Sequence, residues 1–417
     1  MTNSSVPYRS SDRLKGVRYE IRGPLAARAH ELERVGYEVV HLNIGNPGRF
    51  GFRTPETMRL AMIENLGASE AYCHQRGIFP AREAVAMQQQ SRGIAEVTAD
   101  DVFIGNGVSE LIDLSLRGFL NAGDEVLIPS PDYPLWTAAV VLNDGHAVHY
   151  PCRARDNYAP DLAALEALIT PRTRALVVIN PNNPTGAVYP RDVLQGMVDL
   201  AERHDLMVLT DEIYDQMLYD GAEHIPLASL CPPNVLCGTY GGLSKIYRAC
   251  GYRVGWLSFS GAVGRATDYL HSLELLSSLR LCANVPGQWA VQTALGGHQS
   301  IHALTAPDGR LHQSRQAVID AVARSAFLST VIPMGSMYAF LEVDTTSLPN
   351  FEDHAFALRL LEEQHVLVAP GTSFNVQETN RFRITLLPDR DTLDDVFSRI
   401  EQLLVQMASD AVASRSA

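Results

Sequence analysis

Residues Tyr240–Trp256, YGGLSKIYRACGYRVGW, are the stretch from which the rest of the chain is interpreted. Lys245 lies in a Gly/Ser turn and follows an apolar run, residues 234–240, that predicts a buried strand. Arg253 follows later in the same stretch, between two glycines. A lone lysine is usually a solvated surface charge. A lysine on a turn at the end of a buried strand is partly shielded from water, which favours its uncharged, nucleophilic amine.

Two upstream segments make this hypothesis specific. Residues 180–186, NPNNPTG, place an asparagine in a proline-braced loop. Residues 209–214, LTDEIY, place Asp211 at a strand end, with Tyr214 three positions later. Lysine, carboxylate, arginine, asparagine and tyrosine together are what a pyridoxal phosphate site requires, because the cofactor has an aldehyde, a ring nitrogen, a phenolic oxygen and a phosphate. The sequence therefore predicts a pyridoxal phosphate site.

Composition excludes several other classes of protein. The 417 residues carry a formal net charge of −13, with acids and bases interspersed, so a nucleic acid or an anionic membrane is not the expected partner. The six cysteines lack CxxC spacing and are expected to be reduced thiols, and no metal site is predicted. The polar N-terminal stretch, MTNSSVPYRSSDRLKG, has no apolar signal-peptide core, so a cytoplasmic protein is expected.

Seven short motifs occur in a characteristic order. The chain resembles the fold-type I pyridoxal phosphate aminotransferases of the aspartate aminotransferase superfamily, and it is most similar to the bacterial alanine aminotransferases. The resemblance runs from about residue 19 to about residue 403. The motifs that carry it are NIGNP (43–47), GNGVSELI (105–112), PDYPLW (131–136), INPNNPTGAVY (179–189), DEIYD (211–215), GLSKxYR (242–248) and RLCANVP (280–286).

The resemblance and the residue pattern agree on an α/β fold. From about residue 100 predicted strands alternate with predicted helices, which indicates a mainly parallel sheet flanked by helices. We expect a large cofactor-binding domain at 51–289 and a smaller α+β domain built from both chain ends, 17–50 and 290–409. Residues 1–16 are predicted to form a flexible arm, and Asp410–Ala417 a disordered tail.

The resemblance implies a role for each cofactor-binding residue. Lys245 would bind the cofactor's aldehyde covalently, and Asp211 would hold the proton on the pyridine nitrogen. Catalysis is assigned to these two residues and to Tyr214, which shares the phenolic oxygen with Asn183. The other expected cofactor contacts are Tyr133 stacked on the ring, Val108, Ser109, Ser244 and Arg253 around the phosphate, and Tyr72 from the partner subunit of a homodimer with shared active sites.

The substrate contacts are implied in the same way. Arg383 is the expected anchor for the α-carboxylate, since a planar guanidinium suits bidentate binding, although Arg381 lies two residues away on the same predicted strand face. The small-molecule substrates are an amino acid and a 2-oxo acid. The further residues expected to contact substrate are Gly45, Asn183, Tyr19 and Arg280, the last for a distal carboxylate.

The reaction implied is the transfer of an amino group between an L-amino acid, alanine first, and 2-oxoglutarate or pyruvate. Tyr240-Gly241 and Met334-Gly335-Ser336 depart from the family's pattern, so another donor such as valine, aspartate or a specialised biosynthetic substrate stays open. A β-lyase or racemase would use the same cofactor. A regulator with this fold would need an added DNA-binding domain, for which the short polar N-terminal stretch leaves no room.

Overall fold

The structure is a computed structural model that describes residues 8–17 and 23–416. Alternating strand and helix patterns form the central part of the chain, as the sequence predicts. The strands within the described ranges are β1 (Val40–His41), β2 (Val102–Gly105), β3 (Glu125–Ser130), β4 (His146–Pro151), β5 (Thr173–Ile179), β6 (Met207–Asp211), β7 (Leu236–Gly242), β8 (Gly255–Gly261), β9 (Leu328–Thr330), β10 (Tyr338–Val343), β11 (Val366–Leu367), β12 (Ala369–Pro370) and β13 (Arg381–Thr385).

Several helices begin at prolines that the sequence shows. In the first turn of a helix the missing N–H of proline costs nothing. The described α-helices are α1 (Pro24–Arg34), α2 (Glu56–Glu64), α3 (Phe79–Ser91), α4 (Val108–Phe119), α5 (Pro134–Leu142), α6 (Leu162–Ala167), α7 (Arg191–Arg203), α8 (Thr267–Leu279), α9 (Val285–Gly296), α10 (Ile301–Thr305), α11 (Arg310–Arg324), α12 (Asp353–Gln364) and α13 (Arg390–Ser416).

A seven-stranded sheet in the order β2-β8-β7-β6-β5-β3-β4 forms the centre of the molecule. All its strands run parallel to one another except β8, which is antiparallel to both neighbours. Successive residues of each strand face opposite sides, so Leu127 packs in one apolar cluster while Val126 and Ile128 pack in another. Helices cover both faces, and the predicted parallel α/β architecture is confirmed.

A smaller unit combines the two ends of the described chain. Its sheet has the order β12-β13-β10-β9 and is antiparallel throughout. Near the N-terminal end, β1 pairs in parallel with β11, and Leu42 joins an apolar cluster made otherwise of residues beyond 316. Ala29 and Leu32 of α1 pack on Leu361 and Leu367. The prediction of a smaller domain built from both ends is confirmed.

The described parts of both chain ends contain helical structure, and the flexibility predicted for residues 1–16 stays a prediction. The expected disordered tail continues α13 to Ser416, because the segment ASDAVASRS contains neither glycine nor proline to end the helix. Within the expected flexible arm, Asp12–Gly16 forms a 3-10 turn, and Arg13 pairs with Asp144 at 2.8 Å. Residues 1–7 lie outside the described residues.

The division at residue 290 stays a prediction. That position falls inside α9, whose Val291 and Ala294 pack in the same apolar cluster as Ala81 and Val85 of α3.

No described helix combines the length and the apolarity needed to cross a lipid bilayer.

Candidate active site

A cavity of about 560 Å³ opens at the carboxyl ends of β5, β6 and β7. Parallel strands bring these ends to one edge of a sheet, so loops distant in sequence converge there. Most of the residues predicted to bind cofactor or substrate line this cavity. The described lining consists of Ile44, Gly45, Asn46, Val108, Ser109, Tyr133, Ile179, Asn183, Asp211, Ile213, Tyr214, Ser244, Lys245, Cys250, Arg253, Tyr338 and Arg383.

Lys245 projects into the cavity from the turn after β7. Its side chain is half-buried, and Nζ donates a hydrogen bond of 2.8 Å to the carbonyl oxygen of Gly45. Gly45 has no space for a side chain, since an added Cβ would collide with the Tyr338 hydroxyl and lie 2.8 Å from Met337 Sδ. The amine is therefore held against a backbone segment that must stay bare.

Asp211 is the last residue of β6 and is 4% exposed. Its carboxylate accepts hydrogen bonds of 3.3 Å from Trp136 Nε1 and from the backbone N–H of Ile213. Burial raises the pKa of Asp211 to about 6, and the two N–H donors and the charge of Lys245 only partly offset this. A buried carboxylate of this kind is stabilised by a cationic group placed opposite it.

An anion cradle lies where the turn after β2 meets Arg253. Gly107 precedes α4, whose first N–H groups carry the positive end of the helix dipole. The Arg253 guanidinium donates to the carbonyl oxygens of Asn106 at 3.0 Å and Cys250 at 3.1 Å. A Cβ at Gly107 would collide with this guanidinium, and one at Gly255 would lie 2.5 Å from the Val108 nitrogen. Two bare glycines thus let the helix end and the guanidinium approach one small space.

Arg383 enters the same cavity from β13 and is 1% exposed. Its guanidinium donates to Asn183 Oδ1 at 2.9 Å and to the carbonyl oxygen of Asn43. Its guanidinium carbon also lies 4.1 Å from the centre of the Tyr338 ring and 4.5 Å from that of the Phe374 ring. These contacts hold a cation in the cavity that Lys245 also lines.

The neighbouring arginine on β13 has a different environment. Arg381 forms an ion pair of 3.1 Å with Glu342, the residue opposite it on β10. Arg383 is opposite Phe340, which leaves its guanidinium facing the cavity. Strand register therefore distinguishes two arginines that their spacing in the sequence could not separate.

Tyr338 is a lining residue that the sequence did not reveal. Tyr338 belongs to the predicted apolar strand segment MYAFLEV, where a tyrosine is typical of the core. Only the pairing of β10 with β13 shows that it lies near Arg383. Tyr214 donates a hydrogen bond of 3.3 Å to its hydroxyl. Burial raises the pKa of Tyr214 well above its ordinary value. Burial acts the same way on Tyr338, but the charges of Lys245 and Arg383 outweigh it and lower the pKa.

Three predicted contacts lie outside this described lining. Tyr72 is 78% exposed, which leaves its ring available to another subunit, and its role stays a prediction. Arg280, expected near a distal carboxylate, lies 3.2 Å from Glu110 Oε2 and donates to the carbonyl oxygen of Ile104 at 2.9 Å. These contacts hold it away from the cavity of its own chain. Tyr19 lies outside the described residues.

The cavity fits pyridoxal phosphate. Its amine can bond to an aldehyde, its buried carboxylate requires a cation such as a protonated ring nitrogen, and its anion cradle suits a phosphate. The bare backbone at Gly107 and Gly255 is what a closely approaching phosphate needs.

Comparison with known proteins agrees with this geometry. Residues 37–400 match the family of class I and II aminotransferases. The chain is 45% identical over 398 residues to the glutamate-pyruvate aminotransferase AlaA of Escherichia coli K12, which covers 95% of this chain and 98% of that protein. It is 46% identical over 399 residues to an alanine aminotransferase of Mycobacterium tuberculosis, and the match covers 95% of this chain and 93% of that protein.

The fold agrees as well. A crystal structure of an aminotransferase from Escherichia coli matches with a TM-score of 0.94 and 45% identity, covering 96% of this chain and 99% of that one. The chain therefore belongs to the class I and II aminotransferases, enzymes that depend on pyridoxal 5′-phosphate.

Proposed function

We propose that this enzyme transfers an amino group between alanine and a 2-oxo acid, with pyruvate and 2-oxoglutarate as the 2-oxo acids. One observation carries the proposal. The Lys245 amine and the Arg383 guanidinium are bound to the same short segment, the first through Gly45 O and the second through Asn43 O. An amino acid whose carboxylate binds Arg383 would thus have its α-carbon beside the lysine. The names of the two relatives support alanine as the donor.

Bound pyridoxal phosphate would supply an electron sink for the charge that develops when the substrate's Cα loses its proton. Lys245 Nζ is the group placed to take that proton and later return one, since no other described amine lines the cavity. Asp211 would keep the ring nitrogen protonated, and that cation would in turn favour the ionised carboxylate.

The remaining lining residues position the reactants. Arg383 would bind the substrate carboxylate through two parallel N–H donors, with Asn183 fixing the guanidinium. Asn183 and Tyr214 would donate to the phenolic oxygen of the cofactor, and Tyr133 would cover the ring. Val108, Ser109, Ser244 and Arg253 would bind the phosphate. The Lys245 amine lies 2.8 Å from the Gly45 carbonyl oxygen, and Tyr338 and Met337 leave no room for a side chain at Gly45, so the space beside Lys245 is narrow and suits a small side chain.

We also propose a homodimer in which Tyr72 reaches the partner's phosphate site. The support is the exposure of Tyr72 together with exposed apolar side chains on nearby α3 and α8, among them Phe79, Met87 and Leu279. Removing the Tyr72 hydroxyl by Tyr72→Phe should weaken cofactor binding several-fold. A monomer by light scattering, or unchanged cofactor affinity, would contradict this assignment. The six free thiols suit the cytoplasm, the location we propose.

A screen of donors and acceptors tests the proposed reaction. With alanine alone, the visible absorption band of the bound cofactor should disappear while a stoichiometric amount of pyruvate is released. Adding 2-oxoglutarate should restore the band and yield glutamate. A racemase would give D-alanine and leave the band in place. A β-lyase would also leave the band in place, and it would release ammonia and a 2-oxo acid only from a donor with a leaving group on its β-carbon. The proposal fails if no amino donor removes the band.

A further inference from the structure

Tyr338 contacts both sides of the cavity, namely Arg383, the proposed substrate anchor, and Tyr214, a proposed cofactor contact. It is the first residue of β10, is 3% exposed and belongs to none of the proposed binding roles. Its ring faces the Arg383 guanidinium at 4.1 Å, and its hydroxyl accepts a hydrogen bond of 3.3 Å from Tyr214. The same hydroxyl occupies the space that a side chain at Gly45 would need.

The ring contact fixes the plane of the carboxylate anchor. A guanidinium is attracted to the face of an aromatic ring, and the attraction grows when water is excluded. The Phe374 ring lies 4.5 Å from the same guanidinium, so two ring contacts restrict the directions in which its fork can point. Bidentate carboxylate binding depends on that direction, because both N–H donors must lie in the plane of the carboxylate.

The hydroxyl contact fixes the position of the Tyr214 oxygen. Tyr214 is buried, and its single O–H donates to Tyr338, which holds the two hydroxyl oxygens 3.3 Å apart. Despite burial, the positive charges of Lys245 and Arg383 lower the pKa of Tyr338, and so does the hydrogen bond from Tyr214. Cys250 raises this pKa. The net lowering of the pKa makes the O–H of Tyr338 a strong hydrogen-bond donor. When the single O–H of Tyr214 turns to the cofactor's phenolic oxygen, Tyr338 can donate to the Tyr214 oxygen in return.

We propose that Tyr338 is a positioning residue that couples the two halves of the site. Its ring holds Arg383 in the plane that receives the substrate carboxylate, and its hydroxyl donates to the Tyr214 oxygen when the O–H of Tyr214 points to the cofactor. This inference rests on the proposed roles of Arg383 and Tyr214 in transamination.

Two substitutions separate the two contacts. Tyr338→Phe keeps the ring and removes the hydroxyl, whereas Tyr338→Leu removes both. With Tyr338→Phe we expect KM for alanine within about twofold of wild type and kcat lowered about 5-fold, the size of one hydrogen bond. The pH at which the cofactor's visible band changes should also move. With Tyr338→Leu, KM should rise about 10-fold or more, because the cation loses an aromatic face.

Tyr219 offers a matched control. Like Tyr338, Tyr219 is a buried tyrosine with a hydrogen-bonded hydroxyl and a ring close to an arginine. Its hydroxyl donates to the Ser336 carbonyl oxygen at 2.9 Å, and its ring centre lies 5.1 Å from the Arg315 guanidinium. Because it lies outside the described lining of the cavity, Tyr219→Phe and Tyr219→Leu should lower thermal stability and leave KM and the visible band unchanged.

Binding of propionate, which has alanine's carboxylate and lacks its amine, needs neither turnover nor cofactor. Its dissociation constant, measured by thermal shift of the cofactor-free protein, should be unchanged in Tyr338→Phe and raised several-fold in Tyr338→Leu. If wild type transaminates no donor, the proposed function fails, and propionate binding and the titration of the visible band still decide the role of Tyr338.

Two results would overturn the inference. One is Tyr338→Phe with the kcat, KM and visible-band titration of wild type, a result that stands even if Tyr338→Leu does not fold. The other is a folded Tyr338→Leu that binds propionate as wild type does, or Tyr219 variants that change KM as much as the Tyr338 variants.

Discussion

Asp211 and Arg383 are buried charges of opposite sign in one cavity, and the protein supports them very differently. Asp211, at the end of a parallel strand, receives two long hydrogen bonds of 3.3 Å, and burial raises its pKa to about 6. Arg383, on the antiparallel sheet of the smaller unit, is held by two oxygens and two aromatic faces. The Asp211 carboxylate is thus buried with few contacts to offset the cost of its charge, whereas the Arg383 guanidinium is stabilised by its neighbours.

This difference indicates which half is complete without a cofactor. The Arg383 side already has a fixed cation and can receive a carboxylate as it stands. The Asp211 side acquires a stable negative charge only when a cation lies opposite it. Substrate recognition should therefore depend on the folded protein alone, whereas the ionisation of Asp211 should depend on the bound ring.

Lys245 interacts with both halves, so its loss should have the largest effect. Its charge lowers the pKa of both Asp211 and Tyr338, and its amine is the proposed proton carrier. Lys245→Ala should lower kcat by on the order of 10⁴-fold, the range of a lost acid–base group. Borohydride reduction followed by digestion should find no pyridoxyl label in the peptide around position 245, whereas wild type should carry it there. An active or still labelled variant would contradict the assignment.

Arg383→Ala should have the next largest effect, and it tests the half that is complete without a cofactor. Losing a buried guanidinium that pairs with a carboxylate should lower kcat/KM for alanine by about 10²- to 10³-fold, mostly through KM. Arg381→Ala is the control, since it lies on the same strand but pairs with Glu342, and it should change kcat/KM by less than about threefold. Cofactor retention should be normal in both variants. Equal losses in the two would show that strand position, rather than the fork of Arg383, matters.

Much of the site could be predicted because its residues lie in strand-end turns with recognisable composition. Lys245, Asp211 and Asn183 each follow an apolar run, and the topology of a parallel sheet brings such ends together. The parallel core and the contribution of both chain ends to the smaller unit followed from the same alternation and from the resemblance. The structure places these side chains around one cavity, and their chemical roles stay predictions.

The rest depended on register and packing, which composition does not encode. Tyr338 looked like a core residue because its importance comes from facing Arg383 across a strand pair. The partner of Arg280 could not be read from the sequence, since Glu110 is distant along the chain and meets it only after α4 and α8 pack. The tail beyond residue 409 was predicted as disordered, and its helix is continuous with α13.

The stability of the cofactor-free protein tests the Asp211 half. The folded-state pKa of about 6 lies above the ordinary value of 3.8, so the folded protein binds the proton more tightly than the unfolded chain. Ionised Asp211 therefore costs stability at high pH, and that cost disappears as pH falls from about 6 to below 3.8. Asp211→Asn, which keeps an oxygen for Trp136, should be more stable at pH 7 to 8, by at most about 3 kcal/mol.

Urea unfolding of the two cofactor-free proteins across pH measures this difference, and the acidic end serves as an internal control. The gap in unfolding free energy should shrink toward pH 4, where the wild-type carboxyl is protonated in the folded state. With cofactor bound the order should reverse, because the ring cation then favours the ionised carboxylate. A gap independent of pH would mean that the substitution acts through packing rather than through charge.

Arg280→Met should have the smallest effect and tests whether a charge outside the cavity belongs to either half. Arg280 pairs with Glu110, which also accepts from the backbone and side chain of Asn106, the residue whose carbonyl holds Arg253. Its loss should therefore weaken cofactor retention by less than about fivefold, as expected of a partly exposed pair, and leave both KM values nearly unchanged. A large rise in KM for 2-oxoglutarate with KM for alanine unchanged would instead place Arg280 at a distal carboxylate. Because that residue is held outside the cavity of its own chain, such a result would require it to act on the site of a second subunit.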